Sequence, residues 1–190
     1  MPSEGDVTMP YDRIGVIGAM DSELAALIAA LTQPAQETVQ GLVFRTGRLG
    51  AREVVLVRCG IGKVSAARCT QVLIDRFAPD AVLSALLAQT AGNAIGAQRV
   101  HRGLVATGDQ FISGAAAKAA IRRAFPAAMA AEMEGGAVAQ AASMSGVPFA
   151  VVRAISDLAD GTAAASFEQF EQHAADASAA AVLQALALLD

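Results

Sequence analysis

Cysteine, histidine and positive charge are all scarce in this chain, and each shortage removes a class of function. Two cysteines, Cys59 and Cys69, are too few for a disulfide framework in 190 residues, and neither sits in a Cys-x-x-Cys or histidine-rich stretch that would hold zinc. They read as free thiols of a reducing cytoplasm. The two histidines, His101 and His173, stand too far apart to suggest a metal site, and His173 reads as a surface residue of the last helix. Fourteen basic residues face eighteen acidic ones, leaving a net charge of -4 with no lysine or arginine cluster, so the basic face that nucleic acid requires is missing. No apolar run is long enough to cross a bilayer, and residues 1–13 are polar with no apolar core of a signal peptide. A cytoplasmic protein with a disordered leader over 1–13 is expected, with neither nucleic acid nor membrane as a partner.

What the chain does have is apolar content: 54% hydrophobic against 17% charged residues suffices for one sizeable core, expected over 14–190 as a single domain. Short buried strands are expected at 14–18, 42–46, 54–57, 81–84, 103–107 and 147–155, with a turn over Gly47-Arg-Leu-Gly50. Helical spacing predicts helices at 21–31, 63–77, 115–124, 135–144 and 167–189, the last alanine-rich. Residues 85–98 give no clear element. Strands alternating with helices make this an α/β layered fold.

Five clusters carry candidate chemistry. The run Val147-Pro-Phe-Ala-Val-Val152 leads into Arg153-Ala-Ile-Ser-Asp-Leu-Ala-Asp160, which delivers Asp157 to the carboxyl end of a sheet, the edge where open α/β folds bind ligands. Glu23, in Gly18-Ala-Met-Asp-Ser-Glu23, follows the first strand; acids in a helix's first turn also serve simply to complement its dipole. Gly60-Ile-Gly-Lys63 suggests anion binding at a helix start, but it lacks the spacing of a phosphate loop or dinucleotide fingerprint and reads instead as a tight turn that allows close backbone packing. In Gly108-Asp-Gln-Phe-Ile-Ser-Gly114, Phe111 is either a stacking surface for a flat base or an ordinary core residue. In Ala131-Glu-Met-Glu-Gly135, an extended backbone puts Glu132 and Glu134 on one face with Met133 pointing away. Two like charges there cost energy unless a ligand or donor separates them, and a carboxylate suits the paired hydroxyls of a ribose. Solvated acids at a helix start are the alternative.

Taken in order, Ile14-Gly-Val-Ile-Gly-Ala-Met-Asp-Ser-Glu23, Gly60-Ile-Gly-Lys-Val64, Gly108-Asp-Gln-Phe-Ile112, Glu132-Met-Glu134 and Arg153-Ala-Ile-Ser-Asp-Leu-Ala-Asp160 resemble the 5'-methylthioadenosine/S-adenosylhomocysteine nucleosidases of the purine nucleoside phosphorylase-like superfamily. The resemblance implies a three-layer αβα fold with a central mixed sheet, a homodimer, no cofactor and no metal. It implies hydrolysis of the N-glycosidic bond of methylthioadenosine and S-adenosylhomocysteine to release adenine. Residue by residue, Asp157 is expected to protonate adenine N7, Glu23 to orient and deprotonate the attacking water, and Glu134 to hold the ribose hydroxyls. Phe111 is expected to stack on adenine, Ile112 to bond it through its backbone, and Met133 to pack on the ribose. Arg153 and Ser156 are expected to support the water and the acid, with Met20 at the pocket's edge and Glu132 in its lining.

That chemistry is coherent: positive charge builds on the ribose and negative charge on the departing base, so an acid at the base and carboxylates at the sugar both favour the transition state. Asp157 then needs a pKa raised by burial or by neighbouring carboxylates, while Glu23 must be ionised. A phosphate nucleophile would need cations where the chain offers Asp21 and Glu23. The departure from the family pattern follows Pro79-Asp-Ala-Val-Leu-Ser84, where about fifty residues, enough for two or more strands, are expected to be absent. The absent stretch is one that helps form the tail pocket and the dimer surface in that family. A related purine nucleosidase or phosphorylase with another 5' substituent, and a non-catalytic adenine-nucleoside binder, remain alternatives.

Overall fold

The computed structural model describes residues 11–83 and 101–153, together with Ala179, Ala180, Val182, Leu183 and Leu186. The order of elements is β1 (Arg13–Gly18), α1 (Asp21–Ala29), β2 (Thr32–Val39), β3 (Leu42–Leu49), β4 (Arg52–Arg58), α2 (Lys63–Phe77), β5 (Ala81–Leu83), β6 (Leu104–Thr107), α3 (Ala115–Ala124), β7 (Ala128–Glu132) and α4 (Gly135–Met144). Five strands form a mixed sheet in the order β2-β3-β4-β1-β5. β1 runs parallel to β4 and β5, whereas β3 is antiparallel to β2 and β4. Among the described residues, β6 and β7 form a second, parallel pair.

The layers follow from the run Val54-Val-Leu-Val57 in β4, buried at all four positions as a strand covered on both faces requires. Val54 and Leu56 share one face with Ile14 and Val16, against Leu24 and Leu27 of α1 and the helical residues Ala179, Val182 and Leu186. Val55 and Val57 share the other with Phe44 and Val82, against Ala66, Cys69, Val72 and Leu73 of α2 and Ala137 and Val138 of α4. Two apolar layers thus sandwich one sheet. Close packing shows at Gly15, where an added Cβ would meet Leu73 Cδ2 at 2.7 Å.

The strands and helices stand close to the positions their spacing predicts, with informative differences. β2 was not expected, because Thr32-Gln-Pro-Ala-Gln-Glu-Thr-Val39 has no alternating apolar face; among the described residues it is an exposed edge strand paired to β3 alone. Pro34 is tolerated at such an edge, and the register slips between Thr32 and Ala35. β3 runs on through Gly47 to Leu49, so the turn lies at Gly50 and Ala51 and not over 47–50. β7 was also not expected, since its alanines carry little strand signal. α1 ends at Ala29, two residues before the predicted Leu31.

Of the strand expected over 147–155, the described part forms a single parallel bridge, Phe149 with Val82. Val82 N donates to Pro148 O at 2.8 Å, and Ala150 N donates to Val82 O at 3.0 Å. Residues 154 and 155 lie outside the described residues, as does most of the helix expected over 167–189. Of the leader expected over 1–13, Arg13 belongs to β1, and Arg52 Nη1 donates to Tyr11 O at 2.9 Å, so the leader does not include 11–13. Burying Tyr11 partly against the core is what tethers that segment.

Candidate active site

The carboxyl ends of β1, β4, β6 and β7 each lead into a loop or helix start, and these four junctions converge. At the first, Glu23 occupies the first turn of α1 and turns back on the loop that precedes it. Its Oε2 accepts hydrogen bonds from the amides of Ala19, at 2.6 Å, and Met20, at 3.2 Å. Those bonds satisfy donors that a helix start leaves unpaired, and they fix the carboxylate. Met20 packs half-buried against the α2 face of the core.

At the second junction, Gly60 and Gly62 adopt φ of 81° and 96°, which glycine reaches without steric cost. Gly62 N donates to Glu134 Oε1 at 2.7 Å. The donor that invites a phosphate reading is thus held by a carboxylate from 72 residues away, and the tight-turn reading of Gly60-Ile-Gly-Lys63 describes this loop.

The third and fourth junctions lie side by side, because Thr107 of β6 is in register with Glu132 of β7. Glu132 Oε1 accepts from the Thr107 hydroxyl, which in turn accepts from Gly136 N at 2.8 Å. Glu132 Oε2 accepts from the amides of Glu134, at 2.9 Å, and Gly135, at 2.6 Å. Burial raises the Glu132 pKa most strongly, but the Thr107 and Gly135 hydrogen bonds, the charge of Arg153 and the Glu134 amide outweigh it, and the net shift is downward.

Arg153 ties the groups together. Its Nη2 lies 2.7 Å from Glu132 Oε2 and 3.4 Å from Glu134 Oε2, and its Nη1 lies 3.9 Å from Glu23 Oε1. Glu132 and Glu134 both reach this guanidinium, but not through the extended backbone that would set them on one face: β7 ends at Glu132 and the chain bends at Met133 and Glu134 into α4, and the guanidinium and amides supply the donors that make the two charges tolerable. Glu134 itself is buried at 7% exposure. Cys59 lies beneath this cluster, its thiol pushed up to about 12 by burial first and then by Glu134 and Glu23.

Of the other candidates, Phe111 is 54% exposed and Ile112 half-buried in the loop after β6, and Met133 is half-buried between the two glutamates. Ser156 and Asp157 lie outside the described residues. The residues not anticipated are Thr107, Gly62 as the donor to Glu134, and Cys59. A threonine ending a strand carries no signal, but the Gly135-Gly136 pair opening a helix does. An added Cβ at Gly135 would meet Val151 Cγ1 at 2.7 Å, and one at Gly136 would meet Thr107 Oγ1 at 2.9 Å. A cavity of about 380 Å³ at the opposite edge of the sheet includes Arg13 and Arg76, but these are paired with Glu53 and Glu37.

The phosphorylase superfamily model matches this chain over residues 13–85 and 77–187. A 5'-methylthioadenosine/S-adenosylhomocysteine nucleosidase of Shewanella putrefaciens is 33% identical over 210 aligned positions, covering 83% of this chain and 91% of the relative. The chain belongs to this nucleosidase family. The nucleosidase of that name from Staphylococcus aureus is 34% identical, covering 89% of this chain and 96% of the relative. The crystal structure of the S-adenosylhomocysteine nucleosidase from Streptococcus pyogenes in complex with 5-methylthiotubericidin superposes with a TM-score of 0.87 at 30% identity, covering 96% of this chain and 99% of that one. The α/β fold is that of these nucleosidases. The 210 aligned positions exceed 83% of a 190-residue chain by about fifty, the length of two or more strands with their connections. The two pieces matched by the superfamily model overlap at 77–85, so this nucleosidase departs from its relatives near β5, in the region where the sequence predicts it.

Proposed function

We propose that this chain hydrolyses the N-glycosidic bond of 5'-methylthioadenosine and S-adenosylhomocysteine, releasing adenine. The observation that carries the reading is the convergence of Glu23, Glu132 and Glu134 on the single guanidinium of Arg153, at the strand ends where the family's motifs fall. Three carboxylates against one guanidinium make a site that favours positive charge, and cleavage of the glycosidic bond builds that charge on the ribose. The same balance disfavours a phosphate nucleophile, so water is the nucleophile in this reading.

In this proposal Glu134 accepts from the ribose hydroxyls, held in place by Gly62 N, while Met133 packs on the sugar. Glu23 orients and deprotonates water through Oε1, since its Oε2 is engaged by the Ala19 and Met20 amides. Arg153 and Ser156 support the water and the acid, with Glu132 fixing the guanidinium. Phe111 stacks on adenine, Ile112 bonds it through the backbone, Met20 borders the pocket, and Asp157 gives the proton that lets adenine leave. Residues 14–190 act as one domain, and the protein works as a cytoplasmic homodimer. The exposed apolar side chains of Leu104, Phe125 and Met129 offer a surface for a second copy. No helix among the described residues is long and apolar enough to cross a membrane.

The test is adenine release from methylthioadenosine by the purified 190-residue chain without phosphate, beside Asp157→Asn. Turnover that this substitution abolishes supports the hydrolase with Asp157 as its acid. Turnover that depends on added phosphate identifies a phosphorylase instead. Saturable adenine binding by a folded chain without turnover makes it a binder, for which the absence of about fifty aligned positions near β5 would be the reason.

A further inference from the structure

We infer that Lys63 and Asp109 form an ionic latch that holds the base-stacking loop against the start of α2 and so sets affinity for the adenine end of the substrate. The inference rests on the nucleosidase reading above and adds two positioning residues to it. Lys63 Nζ lies 3.0 Å from Asp109 Oδ2, and Lys63 N donates to Asp109 Oδ1 at 3.4 Å. One carboxylate therefore engages both the charge and the backbone of the first residue of α2.

Local sequence shows why this pair is needed. α2 has no acidic residue in its first turn, and its N-cap is Gly62, with no side-chain cap. A lysine at that position opposes the helix dipole. Asp109, 46 residues away in the chain, supplies the missing negative charge and neutralises the misplaced positive one. Its carboxyl is held below the ordinary value by the Lys63 hydrogen bond, the larger influence, and by the Lys63 charge.

Position turns this into a functional device. Successive amides of one turn hold two different parts of the site: Gly62 N holds Glu134, on the ribose side, and Lys63 N holds Asp109, two residues before Phe111 on the base side. At its near end the loop is anchored by Gly108 N donating to Glu132 O at 3.0 Å. The side chains of Lys63 and Asp109 are 43% and 61% exposed, so the pair is a weak contributor to folding. A contact of that strength is suited to biasing a loop whose stacking residue, Phe111, is itself half exposed.

The experiment compares wild type, Lys63→Met, Asp109→Asn and the double variant. KM for methylthioadenosine is expected to rise about five-fold in each single variant, with no further rise in the double and a smaller change in kcat. Because methylthioadenosine is uncharged, salt acts through the protein: KM of wild type should rise between about 0.05 and 0.5 M salt, and that of the variants should stay flat. Additive effects of the two substitutions, or an unchanged salt profile, overturn the latch in an enzyme that still turns over. Amide exchange across residues 108–114 gives a readout independent of activity. It should quicken about five-fold in Asp109→Asn relative to α3, and equal rates refute the latch whatever the substrate proves to be.

Discussion

Arg153 donates to one and the same oxygen of Glu132 twice, from Nε at 3.1 Å and from Nη2 at 2.7 Å. That oxygen also takes the amides of Glu134 and Gly135, so a single atom joins the start of α4 to the arginine that faces Glu23 and Glu134. Glu132 thus binds Arg153 to the start of α4, with a side chain 9% exposed.

Replacing Glu132 with glutamine is expected to cost about 2 kcal/mol at pH 7, because the arginine loses the nearest of its three carboxylates inside a largely buried cluster. The carboxyl's folded pKa lies below the ordinary value of 4.5, so the folded state holds this proton less tightly than the unfolded chain does. Its contribution is therefore complete above that value and fades as pH falls through the folded one. Denaturant unfolding of both proteins from pH 7 downward should show curves that differ at neutrality and approach each other in acid. A constant difference would show that the carboxylate's charge is not what matters.

Gly135→Ala sets two effects against each other. Alanine in a helix is favoured over glycine by at most about 1 kcal/mol, but the new Cβ would lie 2.7 Å from Val151 Cγ1 and 3.2 Å from both Glu132 oxygens. The clash is expected to win, with a net loss of about 1 to 3 kcal/mol. Gly114→Ala, where nothing lies within 4 Å, should change stability by about 0.5 kcal/mol or less. Equal melting temperatures for the two variants would refute this account of the α4 start.

Phe111→Ala is expected to weaken adenine binding about ten-fold or more, the loss of one base-aromatic stack. Because Phe111 is half exposed, the melting temperature should move by only about 2 °C. Calorimetric titration with adenine beside a thermal scan separates the two quantities. A large thermal loss with unchanged affinity would make Phe111 a packing residue.

Both cysteines are buried, with thiols pushed up to about 12, Cys59 by burial and the neighbouring Glu134 and Glu23, Cys69 by burial and Cys59. The thiolate is the reactive form, so a disulfide exchange reagent at pH 8 should label the native protein about a hundred-fold more slowly than the unfolded chain. Rapid native labelling would mean that the floor of the site opens. Unfolded thiols ionise near pH 9 and folded ones only near 12, so the thiols' contribution to stability is full below pH 9 and declines across that interval.

Much of the architecture was legible because it rests on local rules. Val54-Val-Leu-Val57 reads as a strand covered on both faces, and Lys63–Phe77 as a helix after a glycine turn, since periodicity and turn residues report burial directly. β2 and β7 were not legible for the same reason inverted: a polar edge strand and an alanine-rich strand bury too little to leave a pattern. The motifs around Glu23, Glu132 and Glu134 could be singled out from residue type and position after a strand. Their mutual arrangement could not, since Gly62 and Glu134 are 72 residues apart and Thr107 and Glu132 are 25 apart.

By itself, then, the sequence determined the alternation of strands and helices, the acidic character of the site and the region near β5 where the chain falls short of its relatives. Only the tertiary structure decided that Gly60-Ile-Gly-Lys63 holds carboxylates, that one guanidinium gathers three of them, and that Thr107 and Cys59 belong to the same neighbourhood. The reason is physical. Local propensity acts over a few residues, whereas a charge is made tolerable by whichever donors the folded sheet brings within hydrogen-bond reach, and those come from segments with no proximity along the chain.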